Sequence, residues 1–390
     1  MTNTGRTNDT YILWGGSPSL YTGKVRSYLI KKRIPYRECY PSHPVFQTAI
    51  LPALGFFVVP VLEAPDGAII QDTSEIIEHL EETFPEPRLN PSTPMQRTVA
   101  ALIGAFGSEA LLKPAMHYRW SFLAQQENFL RAEFGRCTSA SHDRAARDAA
   151  AAPFMTAMQA HLPRLGITSD SIPAIERSYE DLLDILEAHF LRYPYVLGGR
   201  PSEADFGLMA PLFAHLGRDP YPCALMKHRA PNVFRWTERM NLADLFDGEF
   251  ADTEACYPSD DSIPDSVERL LAHVFQNWGP ELLANAEQYN AWIAAHPSLK
   301  AGDVVSAGGG RQLHPTVGDI TYVLLGRHVR GAGNPQALWH VDKALRRARA
   351  LTGAARAQFD ALIRRTGGAS VMAITLDRPL VRENFVLVVG

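Results

Sequence analysis

The stretch YILWGGSPSLYTGKVRSYL, Tyr11–Leu29, carries the junction on which the fold reading turns. Tyr11 to Trp14 form a short apolar, β-like run. After Gly15 and Gly16 the period changes: from about Thr22 to Lys32, Val25, Tyr28 and Leu29 recur at i, i+3 and i+4, the spacing of one helical face. The residues predict a strand followed at once by a helix. Four hydroxyls, those of Ser17, Ser19, Tyr21 and Thr22, crowd the junction. A helix start needs one capping oxygen for an orphan backbone N–H, so the group exceeds what capping alone requires.

Downstream, IPYRECYP (Ile34–Pro41) carries β-favouring residues, GFFVVPVLEA (Gly55–Ala64) reads as a strong strand, and PDG (Pro65–Gly67) as a turn into a further short apolar run. DTSEIIEHLEETF then places Ile76, Ile77, Leu80 and Phe84 on one helical face, and the prolines of PEP end it. The order to Phe84 is β-α-β, a loose connection, then β-β-α. Arg88 to Pro94 reads as a linker, and Met95 to Met240 is helical in pattern, most clearly over Pro173–Arg192. Within it CTSASHDRAARDAAAAP, Cys137–Pro153, lacks a strong apolar face and reads as a mobile insertion. Past Leu245 an acidic, turn-rich stretch leads to a helical segment, Val267–His296, which Gly279-Pro280 is expected to break or kink. Glycine-rich VVSAGGGRQLHPTVGD, a strand at Ile320–Leu325, a long basic helix over Gln336–Arg365 and the β-rich FVLVVG follow. The glycines Gly308 to Gly310 lack a following Gly-Lys-Ser/Thr and form no phosphate loop.

At 390 residues the chain exceeds one ordinary core, which predicts two or three domains. Its 46% hydrophobic and 21% charged residues are those of a globular protein. A formal net charge of −4 lacks the basic surplus that phosphate neutralisation uses, which argues against nucleic acid as a main partner. The four cysteines, Cys39, Cys137, Cys223 and Cys256, form no CxxC pair and no zinc-type cluster, and read as reduced structural thiols with no metal. The polar start MTNTGRTNDT has no apolar signal core, and no run reaches the ~20 apolar residues needed to span a bilayer. The expected location is the cytoplasm.

Over about Tyr11 to Met240 these features resemble the glutathione transferase superfamily. SLYTGKVRSYL looks like the family's first-helix motif, in which a catalytic Ser, Tyr or Cys precedes a basic-Val-basic triplet, here Lys24-Val25-Arg26. VVPVL resembles the segment that holds the family's cis-proline, at Val59-Pro60. QDTSEIIEHL is similar to the segment whose acid and hydroxyl meet the γ-glutamyl group, here Asp72 and Thr73. LGGRPSEADFGLMAPL looks like the buried capping segment of the helical domain, with Ser202 and Asp205 as cap and reciprocal partner. The resemblance implies a fold of class α/β plus all-α. It comprises a thioredoxin-like glutathione-binding domain at 1–88, an all-helical domain at 94–245, and an additional α+β extension at 246–390 outside the ordinary family pattern.

What the resemblance implies for chemistry is a thiolate. A free thiol has a pKa near 8.5 and the anion is the nucleophile, so a hydroxyl at a helix amino terminus, donating to sulfur beside the positive end of the dipole, favours the reactive form. The family spacing selects Ser19, five residues before Lys24, with Tyr21 next, then Thr22 and Ser17. Val59 would present its backbone to glutathione beside Pro60, and Asp72 and Thr73 would hold the γ-glutamyl end, with Asp72 or a neighbouring subunit meeting the ammonium. Asp72-x-x-Glu75 also fits a helix cap. A pocket for a small hydrophobic electrophile is expected along LLKPAMHYRWSF, at Met116, His117, Tyr118 and Trp120, although aromatic spacing on helices is commonly core packing. Lys24 and Arg26 are read as a solvated helix face. The expected activity is glutathione transfer, with glutathione as co-substrate, no metal, and a homodimer as the family's usual assembly. The alternative is a non-catalytic scaffold that uses the extension to hold a partner. Disulfide chemistry ranks lower, because no Cys stands in the first-helix motif.

Overall fold

The computed structural model describes residues 10–310 and 314–390. The polar start read above, and Arg311 to Leu313 of the glycine-rich stretch, lie outside the described residues. The first unit contains β1 (Tyr11–Trp14), α1 (Leu20–Lys31), β2 (Tyr36–Cys39), α2 (Leu51–Leu54), β3 (Val61–Glu63), β4 (Ile69–Gln71) and α3 (Thr73–Thr83). Its sheet has the order β2-β1-β3-β4, with β1 and β2 parallel and the other pairs antiparallel. Side chains alternate across a strand. Tyr11 and Leu13 therefore join Val25, Leu29, Ile76 and Leu80 on one face, while Ile12 and Trp14 join Phe46, Ile50, Leu54 and Val61 on the other. This is the thioredoxin-like arrangement. The connection expected to be loose is instead helical, a π-type turn at Phe46–Ile50 running into α2, because Phe46, Ile50 and Leu54 cover the second face.

The helical unit runs through α4 (Pro94–Ala105), a π-type turn (Phe106–Ala110), α5 (Leu112–Trp120), α6 (Leu123–Thr138), α7 (Arg144–Gln159), α8 (Ile172–Phe190), α9 (Glu203–Ala214), α10 (Pro220–Arg229) and α11 (Pro231–Met240). The segment read as a mobile insertion is largely helix: it closes α6 and, after a short link at 139–143, forms most of α7, and Ala151 and Met155 pack against Leu130 and Phe134. An alanine face supplies little apolar area, yet it allows two helices to approach closely. The Ser202–Asp205 capping box is present as expected, and Asp205 also accepts the Val196 N–H at 2.9 Å. Pro94–Trp120 is apolar and long enough to cross a membrane, with 89% of its most apolar window buried inside the protein.

Residues beyond the helical unit form α12 (Asp265–Ala295), β5 (Asp319–Leu324), β6 (Arg327–Ala332), α13 (Pro335–Ala350), α14 (Gly353–Thr366), α15 (Ala369–Met372), β7 (Leu380–Glu383) and β8 (Val386–Val389). Gly279-Pro280 does not end α12. The helix continues through both residues because α8, β5, α14 and α15 pack along it, tertiary contact outweighing the missing N–H. The long basic helix is two helices, divided where Gly353 takes φ +56° after the cap residue Thr352. One apolar cluster joins Leu13 and Leu29 of the first unit, Leu102 and Leu208 of the second, and Leu271, Leu338 and Leu387 of the last.

Helices α4 and α9 cross with almost nothing between them. A Cβ on Gly107, in the π-type turn after α4, would lie 2.4 Å from the Gly207 carbonyl carbon, and one on Gly207 would lie 2.3 Å from the Gly104 oxygen. Neither neighbour is a side chain that can swing away. Gly207→Ala and Gly107→Ala are each expected to lower unfolding free energy in urea by about 2–3 kcal/mol through overpacking. Gly248→Ala, at a position with no atom near the added carbon, is expected to stay within ~0.5 kcal/mol of wild type.

Candidate active site

The hydroxyls at the start of α1 divide between structural work and availability. Ser19 is the N-cap, in extended backbone geometry, and its Oγ accepts the Thr22 N–H at 3.2 Å. The Tyr21 hydroxyl is drawn away, donating to the Ser108 carbonyl at 3.1 Å, and burial raises its pKa well above the ordinary phenol value. Thr22 is fully buried, its Oγ1 accepting the Gly16 N–H at 3.4 Å. Ser17 lines a small cavity with Arg26, Glu38 and Tyr40. Ser19 is thus half-buried at the helix end, and its O–H donates to no partner among the described residues. Cys137 faces the same turn from α6, its sulfur 2.4 Å from where a Gly16 Cβ would stand, and burial pushes its thiol up to about 12.

The turn before Ser19 is fixed by a residue that the sequence reading passed over. Arg119, on α5, is buried; its Nε and Nη2 donate to both oxygens of the buried Asp219 at 2.6 and 2.9 Å. Its Nη1 donates to the Pro18 carbonyl at 2.7 Å. His215 stands beside it and is kept neutral, since burial and the adjacent guanidinium hold its pKa well below the usual imidazole range. Its Nδ1–H donates to the Ala115 carbonyl at 3.2 Å, which leaves Nε2 to accept from Arg119. Arg119 shares α5 with Lys113 and His117, and its acidic partner Asp219 stands 100 residues away, so no local signal singled it out.

Lys24 and Arg26 are not a solvated face. Lys24 is buried and donates to Ser108 Oγ at 3.2 Å; burial lowers its ammonium pKa, with Asp72 and Glu203 pulling the other way. Arg26 forms a bidentate pair with Glu38, both bonds 2.6 Å. The reason is local: the α1 face carrying Lys24 is covered by the helical unit, and the face carrying Arg26 lies over β2.

Val59-Pro60 is a cis peptide bond, as the segment implied. Neither the N–H nor the C=O of Val59 has a hydrogen-bond partner among the described residues, which leaves one donor and one acceptor for a strand-like ligand. Asp72 adopts φ +79°, uncommon for a residue with a side chain, and caps α3 by accepting the Ser74 N–H at 2.8 Å. Burial alone would raise the Asp72 carboxyl, but His340, Arg382 and the Ser74 N–H together hold it below its ordinary value. Thr73, buried, opens α3 beside it.

Asp72 is met by the C-terminal region. Gln336 on α13 donates to Asp72 Oδ2 at 3.3 Å, His340 Nδ1 lies 3.4 Å from Ser74 Oγ, and His340 Nε2 lies 3.2 Å from Glu109 Oε1. Lys343 pairs with Glu78 and Glu203, and Arg347 with Glu203 at 2.9 Å. A cavity of about 130 Å³ lies under this cover, among Lys24, Ser74, Ser108, Glu203, His340 and Lys343. None of these contacts is visible in the sequence, because the partners are well over a hundred residues apart, 144 for Arg347–Glu203 and 266 for His340–Ser74.

The residues expected to line an electrophile pocket are interior. Met116 and Trp120 pack with Leu130 and Phe134 and with Ile320, Tyr322 and Leu324 of β5, so the extension covers that side of α5. Tyr118 lies in the main core. His117, its pKa lowered by burial, bonds Glu176 through Nε2 and Ser121 Oγ through Nδ1, both 2.9 Å. Among the described residues no group of three or more His, Cys, Asp or Glu is placed to hold a metal ion.

Residues 15–88 match the family "Glutathione S-transferase, N-terminal domain", and residues 147–239 match "Glutathione S-transferase, C-terminal domain". Similar solved structures include a glutathione S-transferase from Rhodospirillum rubrum F11, 19% identical, covering 66% of this chain and 98% of its own with a TM-score of 0.38. One from Methylobacterium radiotolerans JCM 2831, in complex with glutathione sulfonate, is 20% identical over 66% and 98%, with a TM-score of 0.33. The beta-etherase LigF from Sphingobium sp. strain SYK-6 is 19% identical over 63% and 100%, with a TM-score of 0.39. No curated protein matches the chain in sequence.

The Glu109–His340 contact has a testable pH signature. Burial raises the Glu109 carboxyl to about 8, with Asp72 adding and Lys24 opposing; burial lowers His340 to about 4. At neutral pH both groups are uncharged, 3.2 Å apart. Glu109 binds its proton more tightly folded than unfolded, so its contribution is complete below the unfolded pKa near 4.5 and declines as pH rises to about 8. Wild type and Glu109→Gln are expected to have matching unfolding free energies at pH 5. By pH 8.5 the variant is expected to lead by on the order of 3 kcal/mol, measured by denaturant titration across that range.

Proposed function

From a chain that carries, at residues 15–88 and 147–239, the two domains of the glutathione S-transferase family, we propose that the groove from Ser19 past Val59 to Asp72 and Thr73 binds glutathione. Ser19 donates its hydroxyl hydrogen to the glutathione sulfur and favours the thiolate, which attacks a small hydrophobic electrophile. The observation that carries this reading is the division of hydroxyls at α1: Tyr21 and Thr22 are committed inward, while Ser19 holds the helix end. The orphan N–H groups of the first turn and the dipole of the twelve-residue helix act on the same point. Lowering the thiol pKa by about two units corresponds to ~2.7 kcal/mol of preference for the anion.

In this reading Val59 pairs its free N–H and C=O with the cysteinyl backbone beside Pro60, and the start of α3 holds the γ-glutamyl carboxylate. Met116, His117, Tyr118 and Trp120 back the electrophile side as packed residues. The homodimer and the cytoplasmic location belong to the same proposal. A dimer would use a surface other than the α3–α4 face that α13 covers. The scaffold reading is disfavoured because the charged face of α13 is already engaged by Glu78, Glu109 and Glu203 of its own chain.

The test is conjugation of glutathione to a generic aryl halide, with the ultraviolet thiolate signal of the bound tripeptide read in parallel. Ser19→Ala is expected to lower kcat ~100-fold and to return the bound thiol pKa toward 8.5. Tyr21→Phe is expected to keep kcat within ~3-fold while losing about 1 kcal/mol of stability with its hydrogen bond to Ser108. Full activity in Ser19→Ala would remove the assignment.

A further inference from the structure

The start of α3, at Asp72 and Thr73, faces the chain's own last strands, with Arg382 Nη1 4.0 Å from Asp72 Oδ2. We propose that Arg382, on β7, binds the α-carboxylate of the γ-glutamyl group, so that the β7–β8 hairpin completes in cis a pocket for a zwitterionic α-amino-acid head. The inference rests on the reading of the groove as a glutathione site.

The Arg382 side chain is only 7% exposed, yet its donors are incompletely used. Nη2 donates to the Phe385 carbonyl at 3.0 Å and to the Gln71 side-chain oxygen. Nη1 stands 4.0 Å from Asp72 Oδ2, and Nε stands 3.9 Å from Glu75 Oε1, both beyond hydrogen-bond length. The buried Nε has no hydrogen bond among the described residues. Buried guanidinium donors are ordinarily filled, and a bond from one to a carboxylate is charge-assisted. An unfilled donor beside two carboxylates held just out of reach points to an acceptor that arrives with the ligand.

The surroundings fit that ligand in charge as well as in shape. Thr73 opens the eleven-residue α3, whose amino terminus favours an anion. Asp72, with Glu75 a turn along, offers an acceptor for an ammonium next to it. One fixed cation facing one fixed anion suits a carboxylate and an ammonium borne on a single carbon. The hairpin is itself anchored: Asn384 and Phe385 turn it with φ of 47° and 70°, and Phe385 packs in the cluster that contains Val59 and Ile69. The Trp339 ring of α13 has its centroid 5.6 Å from the Arg382 guanidinium.

The test is calorimetric titration of the full-length protein with two ligands, glutathione and γ-aminobutyryl-cysteinyl-glycine, which keeps the ammonium and thiol but lacks the α-carboxylate. Wild type is expected to bind glutathione at least ~10-fold more tightly than the analogue, as a charge-assisted hydrogen bond to a buried guanidinium implies. Arg382→Met is expected to bind the two within ~3-fold of each other, and Arg382→Lys, which keeps the charge and loses the Nε–H, to fall between. A preference in Arg382→Met equal to that of wild type would overturn the proposal and leave the glutathione site standing. The same result in Arg382→Lys decides the matter where circular dichroism shows the Met variant unfolded. Wild type that binds neither tripeptide would instead overturn the glutathione reading, and this proposal with it.

Discussion

The arrangement around α1 depends on one buried cation. Arg119 lies in the interior with Asp219, and a buried pair of this kind is tolerated only when its geometry is complete, since loss of either partner strands a charge at a cost of about 3–5 kcal/mol. Completeness here includes the Pro18 carbonyl, which belongs to the first unit, and the imidazole of His215, which belongs to α9's end. Desolvation therefore does more than hold α5 to α10. It sets the height and orientation of the turn that delivers Ser19, and through that turn the direction in which α1 begins. The glycine contact between α4 and α9 and the packing of α1 on α9 then fix the rest of the first unit relative to the helices.

Much of this was legible in the sequence where a signal was local. The strand-to-helix junction at Gly15-Gly16, the Val59-Pro60 segment, the Asp72 cap and the Ser202–Asp205 box each declare themselves within a few residues, because turn chemistry and capping are short-range. The failures share a different cause. Lys24 reads as a surface residue until Ser108 and the helical unit are placed over it. Cys137–Pro153 looks unstructured because alanine contributes shape and little hydrophobicity, so its face is apparent only against its partner helix. Gly279-Pro280 reads as a break because the contacts that carry α12 across it come from elements far away in the chain.

The C-terminal region changes the character of the site that the first two units form. Ordinary surface ion pairs contribute little, but those of α13 are partly sheltered and lie along one helix face, so together they register it on α3, α4 and α9. Beneath them the Glu109–His340 pair is neutral, which avoids burying a bare charge where the helix seats most closely. A mixed arrangement results: charged contacts at the rim, a neutral pair inside, and a guanidinium at the hairpin with donors to spare. β5 covers a side of α5 by apolar packing instead. The extension thus encloses two sides of the molecule that the sequence alone would leave open.

The crossing of α4 and α9 carries a consequence for how this chain can diverge. Most helix contacts are renegotiable, since a larger side chain on one partner can be matched by a smaller one on the other. At Gly104, Gly107 and Gly207 the contact is backbone on backbone, and every participant is already the smallest residue available. No compensating exchange exists, so drift at this crossing is closed off whatever happens to the electrophile side. Descendants of this chain can rebuild their loops, their hairpins and their chemistry, but they must inherit that hinge of bare main chain unchanged.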